Sequence, residues 1–204
     1  MNAYPATSDF TAQEQTNEFI YSLSNNSLCG LEQIEKTDLH CHSGRSGSLH
    51  YLLKDKKITH ILQPHRFESL NHMQQFYYDN VKKYFRCKKD GLQKRWEASL
   101  ARTKDDNIKI LVLSFTSSKI KFVGGIQPFI KIIDQLHAKY AHNTIFLPEL
   151  SFERTCNIDL EFEFLDEILE QNWFKSIDIC NDEFAQPIER FKKIFTKAKE
   201  YSLR

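Results

Sequence analysis

The segment KTDLHCHSGRSGSL, residues 36–49, holds the side chains best suited to chemistry. On a strand successive side chains point to opposite faces, so this spacing puts Asp38, His40 and His42 on one face and Leu39 and Cys41 on the other. Two imidazoles on one side of a rigid strand can meet a single divalent ion, and neutral imidazole suits zinc, iron or nickel. The turn after His42 is rich in Gly and Ser. At the carboxyl end of a barrel strand, such a turn lies at the mouth where sites assemble. A chain with eight histidines throws up His-x-His by chance often enough that the strand context, not the tripeptide, carries the argument.

The elements that would position this pair follow from periodicity. Strand signals at residues 36–42, 108–115, 144–150 and 174–180 alternate with stretches of helical period, the pattern of β/α units on a parallel sheet. IKILVLSF is nearly continuous apolar sequence, as in a strand covered on both faces. A short helical piece at 49–56 and a long helical region at 67–103 fill the first crossover. After Gly124 and Gly125, Pro128 falls in the first turn of a helix with Phe129, Ile132, Ile133, Leu136 and Tyr140 on its apolar stripe. The next helix is expected to bury Leu160, Phe164, Leu165, Ile168 and Leu169, with Glu161, Glu163, Asp166, Glu167 and Glu170 outward. Pro187 opens the last, with Ile188, Phe191, Ile194, Phe195 and Ala198 inward. Residues 1–33 read as a helical prefix and 34–204 as one unit, since no repeat, low-complexity tract or linker divides them. The fold class is therefore α/β: a partial (β/α)8 TIM-type barrel of about four β/α units with a helical N-terminal prefix.

Composition narrows the function. The 204 residues are 41% hydrophobic and 13% aromatic, with 28 Lys and Arg against 27 Asp and Glu, so no global field draws the chain to nucleic acid or an anionic membrane. No apolar run approaches the length of a membrane span. The first residues carry no basic region followed by an apolar one, and the expected compartment is the cytoplasm. Five scattered cysteines without a C-x-x-C pair speak against a disulfide framework or a thiolate zinc knot. Tyr84, Phe85 and Trp96 among the cations of residues 82–104 resemble a single-strand-binding pattern, but their helical spacing makes them core residues. Arg154 after the third strand suits a barrel mouth or a structural ion pair equally. Ser114 and Ser151 lack an elbow or triad pattern, which removes serine hydrolysis.

DLHCH followed by Gly47-Ser48-Leu49 resembles the first-strand motif of the adenosine deaminase family, a metal-dependent branch of the amidohydrolases. FKSIDICNDE, then Pro187 and FKKIFTKAKEYSL, is similar to that family's fourth strand, which ends in Gly-Asp-Glu and enters an F-x-x-x-F-x-x-A helix. DNIKILVLSF and TIFLPELSFERTCN stand in order between them as second and third strands, so the resemblance runs from about residue 34 onward. It implies an eight-stranded barrel and hydrolytic release of ammonia from a purine nucleoside such as adenosine. It also implies that His40 and His42 hold zinc, which lowers the pKa of water for attack at neutral pH. Gly47, Asn181, Asp182 and Glu183 would line the substrate site. Two departures stand out: the turn before Gly47 is about two residues longer than usual, and Asn181 stands where the family has Gly.

In that family a third histidine, an acidic glutamate, a water-orienting histidine and an aspartate come from later strands, which lie beyond the present sequence. His50, His60, His65, His72, His137 and His142 occupy the first crossover or a helix end and do not substitute. The expectation is low zinc occupancy in the isolated chain, no catalytic residue of its own beyond the metal pair, and an open half-barrel exposing two strand edges and an apolar inward layer. A second polypeptide or a second copy would complete it. Two alternatives remain: a non-catalytic deaminase remnant acting as a binding or assembly partner, and a PHP-type metal-dependent phosphoesterase, whose first motif is also His-x-His. The latter needs a second His-bearing strand, for which residues 58–67 with His60 and His65 are the candidate.

Overall fold

The computed structural model describes residues 11–54, 66–85 and 89–203. Four strands, β1 (Lys36–His42), β2 (Ile108–Thr116), β3 (Ile145–Glu153) and β4 (Ser176–Cys180), form one sheet in the order β1-β2-β3-β4. All three pairings are parallel. Each crossover is helical: α3 (Leu49–Leu53), α4 (Leu70–Asn80), a 3-10 turn at Lys82–Phe85 and α5 (Lys89–Asp105) join β1 to β2. Two helices, α6 (Ser117–Phe122) and α7 (Ile126–Tyr140), precede β3, and the short α8 (Ile158–Glu163) and α9 (Leu165–Leu169) precede β4. A 3-10 turn at Ile188–Phe191 leads into α10 (Lys192–Glu200), and the prefix folds as α1 (Ala12–Ser24) and α2 (Leu28–Gln33). This is a curled half-barrel, the partial TIM-type arrangement that the alternating pattern implies. The expected helical piece at 49–56 ends its described part at Lys54, and residues 58–65 of the phosphoesterase candidate, with His60 and His65, lie outside the described residues.

Side chains on the outer face of the sheet make the core. Leu111, Leu113 and Phe115 of β2 and Leu150 and Phe152 of β3 are buried beneath the helices. An aromatic cluster fills the space between sheet and helices: Trp96 of α5 meets Phe129 of α7 at 5.4 Å and Phe115 at 6.1 Å between ring centroids, edge to face. Trp173 and Phe174, just ahead of β4, pack on Phe129 as well. Edge-to-face pairs of this kind add to the burial energy of the rings. Phe85 and Trp96 are thus core residues, as their spacing implies. Gly124 and Gly125, with φ of 103° and 106°, make the left-handed corner that lets α7 start directly after α6.

Three expectations are corrected. Of the stripe expected inward on the last helix, Phe191, Ile194 and Ala198 are buried, while Ile188, in the 3-10 turn ahead of α10, and Phe195 are exposed. The acidic helix does not run on one straight stripe: it breaks at Phe164 into α8 and α9, leaving Leu160 and Phe164 exposed while Glu161 is buried, 3.2 Å from the Lys121 amine. The expected stripe holds in the second segment, where Leu165, Ile168 and Leu169 are buried, and fails in the first, because one helical wheel cannot describe two separate helices. The inward layer is also not uniformly apolar. Pairing aligns His42 with Ser114, Ser114 with Glu149 and Glu149 with Ser176, and one layer higher aligns Thr116 with Ser151 and Ser151 with Asp178. In parallel pairs, partners share a face, so the carboxyl-terminal half of the inner face is polar. Only the lower layers, with Ile110 beside Ile145 and Val112 beside Leu147, are apolar.

The four cysteines among the described residues are free thiols, Cys29 exposed and Cys41, Cys156 and Cys180 partly covered. Burial, reinforced by Asp38, pushes the Cys41 thiol up to about 12, and burial, reinforced by Glu161, lifts Cys156 to about 11. Since the thiolate is the nucleophile, a raised pKa means a tenfold smaller reactive fraction per unit at any pH below it. Iodoacetamide at pH 8 is therefore expected to label exposed Cys29 ahead of Cys41 and Cys156, which become reactive only as pH rises; peptide mapping showing Cys41 labelled as fast as Cys29 would contradict this.

Candidate metal centre

β1 is irregular where it matters. Asp38 pairs with Leu111 and Cys41 with Leu113, so the strand shifts register between them by carrying two residues opposite one. Such a bulge re-aims side chains. Asp38 consequently sits opposite a core residue of β2, while His42 sits opposite Ser114 on the inner face. Strict alternation would group Asp38 with both histidines, and the bulge separates them: one Asp38 carboxylate oxygen accepts from the His40 backbone N–H at 3.4 Å.

His40 and His42 remain together, ring centroids 5.0 Å apart and edge to face. Asp178 of β4 joins them: one donor atom from each of His40, His42 and Asp178 lies within 4.8 Å of the others. Flat strands about 4.8 Å apart would hold β1 and β4 three intervals, or about 14 Å, from each other. The curl of the sheet, with the reach of the side chains, closes that distance. Asp178 is steadied by Ser151, whose hydroxyl lies 3.1 Å from Oδ2 and 3.1 Å from the Cys180 thiol. Behind His40 stands Glu149 of β3, buried, with Oε1 3.0 Å from His40 Nδ1 and Oε2 accepting from the Ser176 hydroxyl at 2.8 Å.

Burial, then the His40 and Arg45 charges, lower the His42 pKa, against the opposing pull of Asp178 and Glu149. A neutral imidazole with a free lone pair is the form a metal takes. Two imidazoles and a carboxylate are a common donor set, and at zinc bond lengths near 2.1 Å tetrahedral donors sit about 3.4 Å apart. The three donor atoms here are within about an ångström or two of that spacing, a gap that small side-chain rotations cover. The residues present therefore fit a divalent ion.

The turn after β1 is clamped to α5. The Ser46 hydroxyl donates to Ser99 Oγ at 2.9 Å, Ser99 donates to the Ser43 carbonyl at 2.9 Å, and Arg102 donates to the Ser46 carbonyl at 3.0 Å. Tyr77 of α4 donates to the Gly44 carbonyl at 2.7 Å. Gly47 is the closest approach: a Cβ there would lie 2.6 Å from Ala98 Cβ and 2.9 Å from the Ala98 carbonyl carbon. Gly47→Ala is expected to destabilise the chain by about 1–3 kcal/mol, because the neighbour that must yield is helix backbone; denaturant unfolding with an unchanged midpoint would show that the turn can lift away freely.

The residues after β4 have local partners. Asn181 has a φ of 79°, a left-handed conformation that Asn tolerates better than most residues and that suits the position where the resembling family has Gly. Asp182 accepts from the Phe184 backbone N–H at 3.1 Å, a turn-forming bond, and Asp182 and Glu183 are exposed. Among the described residues no hydrogen bond or ion pair links Gly47, Asn181, Asp182 or Glu183 to the two histidines. Arg154 lies at the carboxyl end of β3, on the side of the barrel mouth, and among the described residues makes no ion pair: its Nε donates to the Gln186 carbonyl at 2.8 Å, and Gln186 donates back to the Arg154 and Cys156 carbonyls, tying the loops after β3 and β4 together.

Asp178 and Glu149 are not singled out by the sequence reasoning. A signal was present: Ser176, Asp178 and Cys180 alternate with Ile177 and Ile179, and Glu149, Ser151 and Glu153 alternate with Leu150 and Phe152. Polar residues in period two on a parallel strand mark an inner face that is doing something other than packing.

Four β/α units with three metal-capable side chains gathered at the carboxyl ends of the strands define the class as a parallel α/β half-barrel. Among solved structures, the chain is similar to the crystal structure of adenine deaminase from Arthrobacter aurescens, at 16% identity and a TM-score of 0.55, over 82% of this chain and 55% of that one. The likeness establishes the fold, and this chain spans little more than half the length of that protein. No protein-family model matches the sequence, and no curated protein does either. Among the described residues no helix is long and apolar enough to cross a membrane.

Proposed function

We propose that this chain is the metal-carrying half of a deaminase-like hydrolase, holding a divalent ion, zinc by the resemblance, through His40, His42 and Asp178, and serving hydrolytic deamination of a purine nucleoside such as adenosine. The observation that carries the reading is the meeting of those three side chains from opposite edges of the half-barrel. When bound, a divalent ion supplies acidification of water and polarisation of the ring undergoing attack. The chain's own residues supply the rest: His42 stays neutral in its half-buried position, Asp178 is oriented by Ser151, and the clamp on α5 holds the turn after β1 in place. Gly47, Asn181, Asp182 and Glu183 stand as the substrate-facing residues of this proposal, Asn181 by its backbone conformation and Asp182 and Glu183 by their exposure after β4.

The outer edges of β1 and β4 have no strand partner among the described residues. Unpaired edges favour addition of further strands, so the working barrel is completed by a second polypeptide or a second copy of this chain, and the chain alone is expected to bind metal without turning over substrate. Zinc titration of the apo chain by calorimetry tests the first part. Ammonia release from adenosine, by the chain alone and with candidate completing halves, tests the second. Absence of zinc binding by the folded chain would remove the proposal.

A further inference from the structure

Glu149 is the most enclosed charged group on the inner face, at 7% exposure. A carboxylate buried this far needs a partner for each oxygen. Oε2 has one in the Ser176 hydroxyl, its neighbour in register on β4. Oε1 has no well-angled hydrogen bond, and what faces it at 3.0 Å is Nδ1 of His40. The two come from strands separated by β2, where Ser114, also buried and with its hydroxyl unpartnered, lies between them in the layer His42, Ser114, Glu149, Ser176. A contact across two strand intervals, about 10 Å on a flat sheet, forms because the curl aims both side chains at the same point.

We propose that Glu149 is a positioning residue for His40: its unpartnered Oε1, 3.0 Å from Nδ1, lies where a small turn of the ring lets it accept from Nδ1–H, which fixes the tautomer and leaves Nε2 as the nitrogen free to take a ligand. This rests on the reading that His40, His42 and Asp178 hold an ion. The physical content is that an imidazole with exposed flank, 49% for the His40 side chain, is free to rotate and to carry its proton on either nitrogen. A carboxylate fixed by a second hydrogen bond removes both freedoms. Glu149 is not among the three grouped donors. Its anchor, Ser176, extends the same chain of contacts one strand further.

Two measurements on the full chain separate this from a purely structural role. Long-range nitrogen–proton NMR of the apo protein labelled at histidine, with the His40 signal identified by its loss in His40→Gln, reads the tautomer directly. The Nδ1–H form is expected in the unaltered chain and in Glu149→Gln, whose amide oxygen still accepts, and a mixture or the Nε2–H form in Glu149→Ala. Zinc affinity by competition with a chromophoric chelator is expected to fall about 10–100-fold in Glu149→Ala and only a few-fold in Glu149→Gln, with thermal unfolding confirming that each variant is folded. An unchanged tautomer in Glu149→Ala overturns the proposal. So does Glu149→Gln losing as much affinity as Glu149→Ala, since that makes Glu149 a ligand. If the unaltered chain binds no zinc at all, the ion site fails, while the tautomer still decides whether Glu149 sets His40.

Discussion

His42→Ala is expected to weaken zinc binding by the isolated chain by more than about 100-fold, beyond the 10–100-fold typical of losing an outer-shell partner. The variant removes one of three donors from a set already at the minimum for a protein-held zinc. His42 is also the half-buried imidazole, whose pKa burial and the His40 charge lower, so its loss takes away a donor that its surroundings favour in the neutral form. Asp178→Asn should show a smaller but clear loss, because the amide keeps a weak oxygen donor and drops the charge that offsets the ion. His142→Ala is the matched control, an exposed residue in the turn before β3. Calorimetric titration of the four proteins decides it: equal affinity in His42→Ala and the unaltered chain would mean that zinc, if bound, sits elsewhere.

Trp96→Ala should be the most damaging single change to stability. The side chain is 1% exposed and lies edge to face against Phe115 and Phe129, at the point where α5, α7 and β2 meet. Truncating a fully buried Trp costs about 3–5 kcal/mol through lost transfer energy and the cavity left behind. For a chain of this size that corresponds to a fall of roughly 6–20 °C in Tm. The loss should also reach the candidate site, since α5 is the helix that clamps the turn after β1 through Ser99 and Arg102. A Tm within about 2 °C of the unaltered chain would mean that the aromatic cluster is loosely packed.

Much of the architecture is legible in the residues. The apolar run of β2, the Pro128 start of α7 and the stripe of Phe129 and Ile133 follow from periodicity and turn chemistry, and the structure places those elements within a residue or two of the expected bounds. The third and fourth strands are displaced more, β3 running on to Glu153 and β4 starting at Ser176. Residues 151–153 continue an alternation that the apolar pattern hides, while the bulky Trp173 and Phe174 belong to the core ahead of the strand, where burial imitates strand composition. The break at Phe164 is invisible to a helical wheel because the two short helices share a nearly continuous pattern.

The candidate site divides in the same way. That His40 and His42 face one direction is a local property of two residues on one strand, and spacing suffices to read it. Asp38 is lost from that face because a bulge depends on how β1 pairs with β2, which no single segment encodes. Asp178 and Glu149 lie more than a hundred residues further along the chain and enter the site only through the curl of the sheet. Local propensity and periodicity determined the order of strands and helices and the histidine pair. The tertiary structure decided which carboxylates meet that pair, because register and curvature arise from packing summed over all four strands, and a period of two or of 3.6 residues carries no record of either.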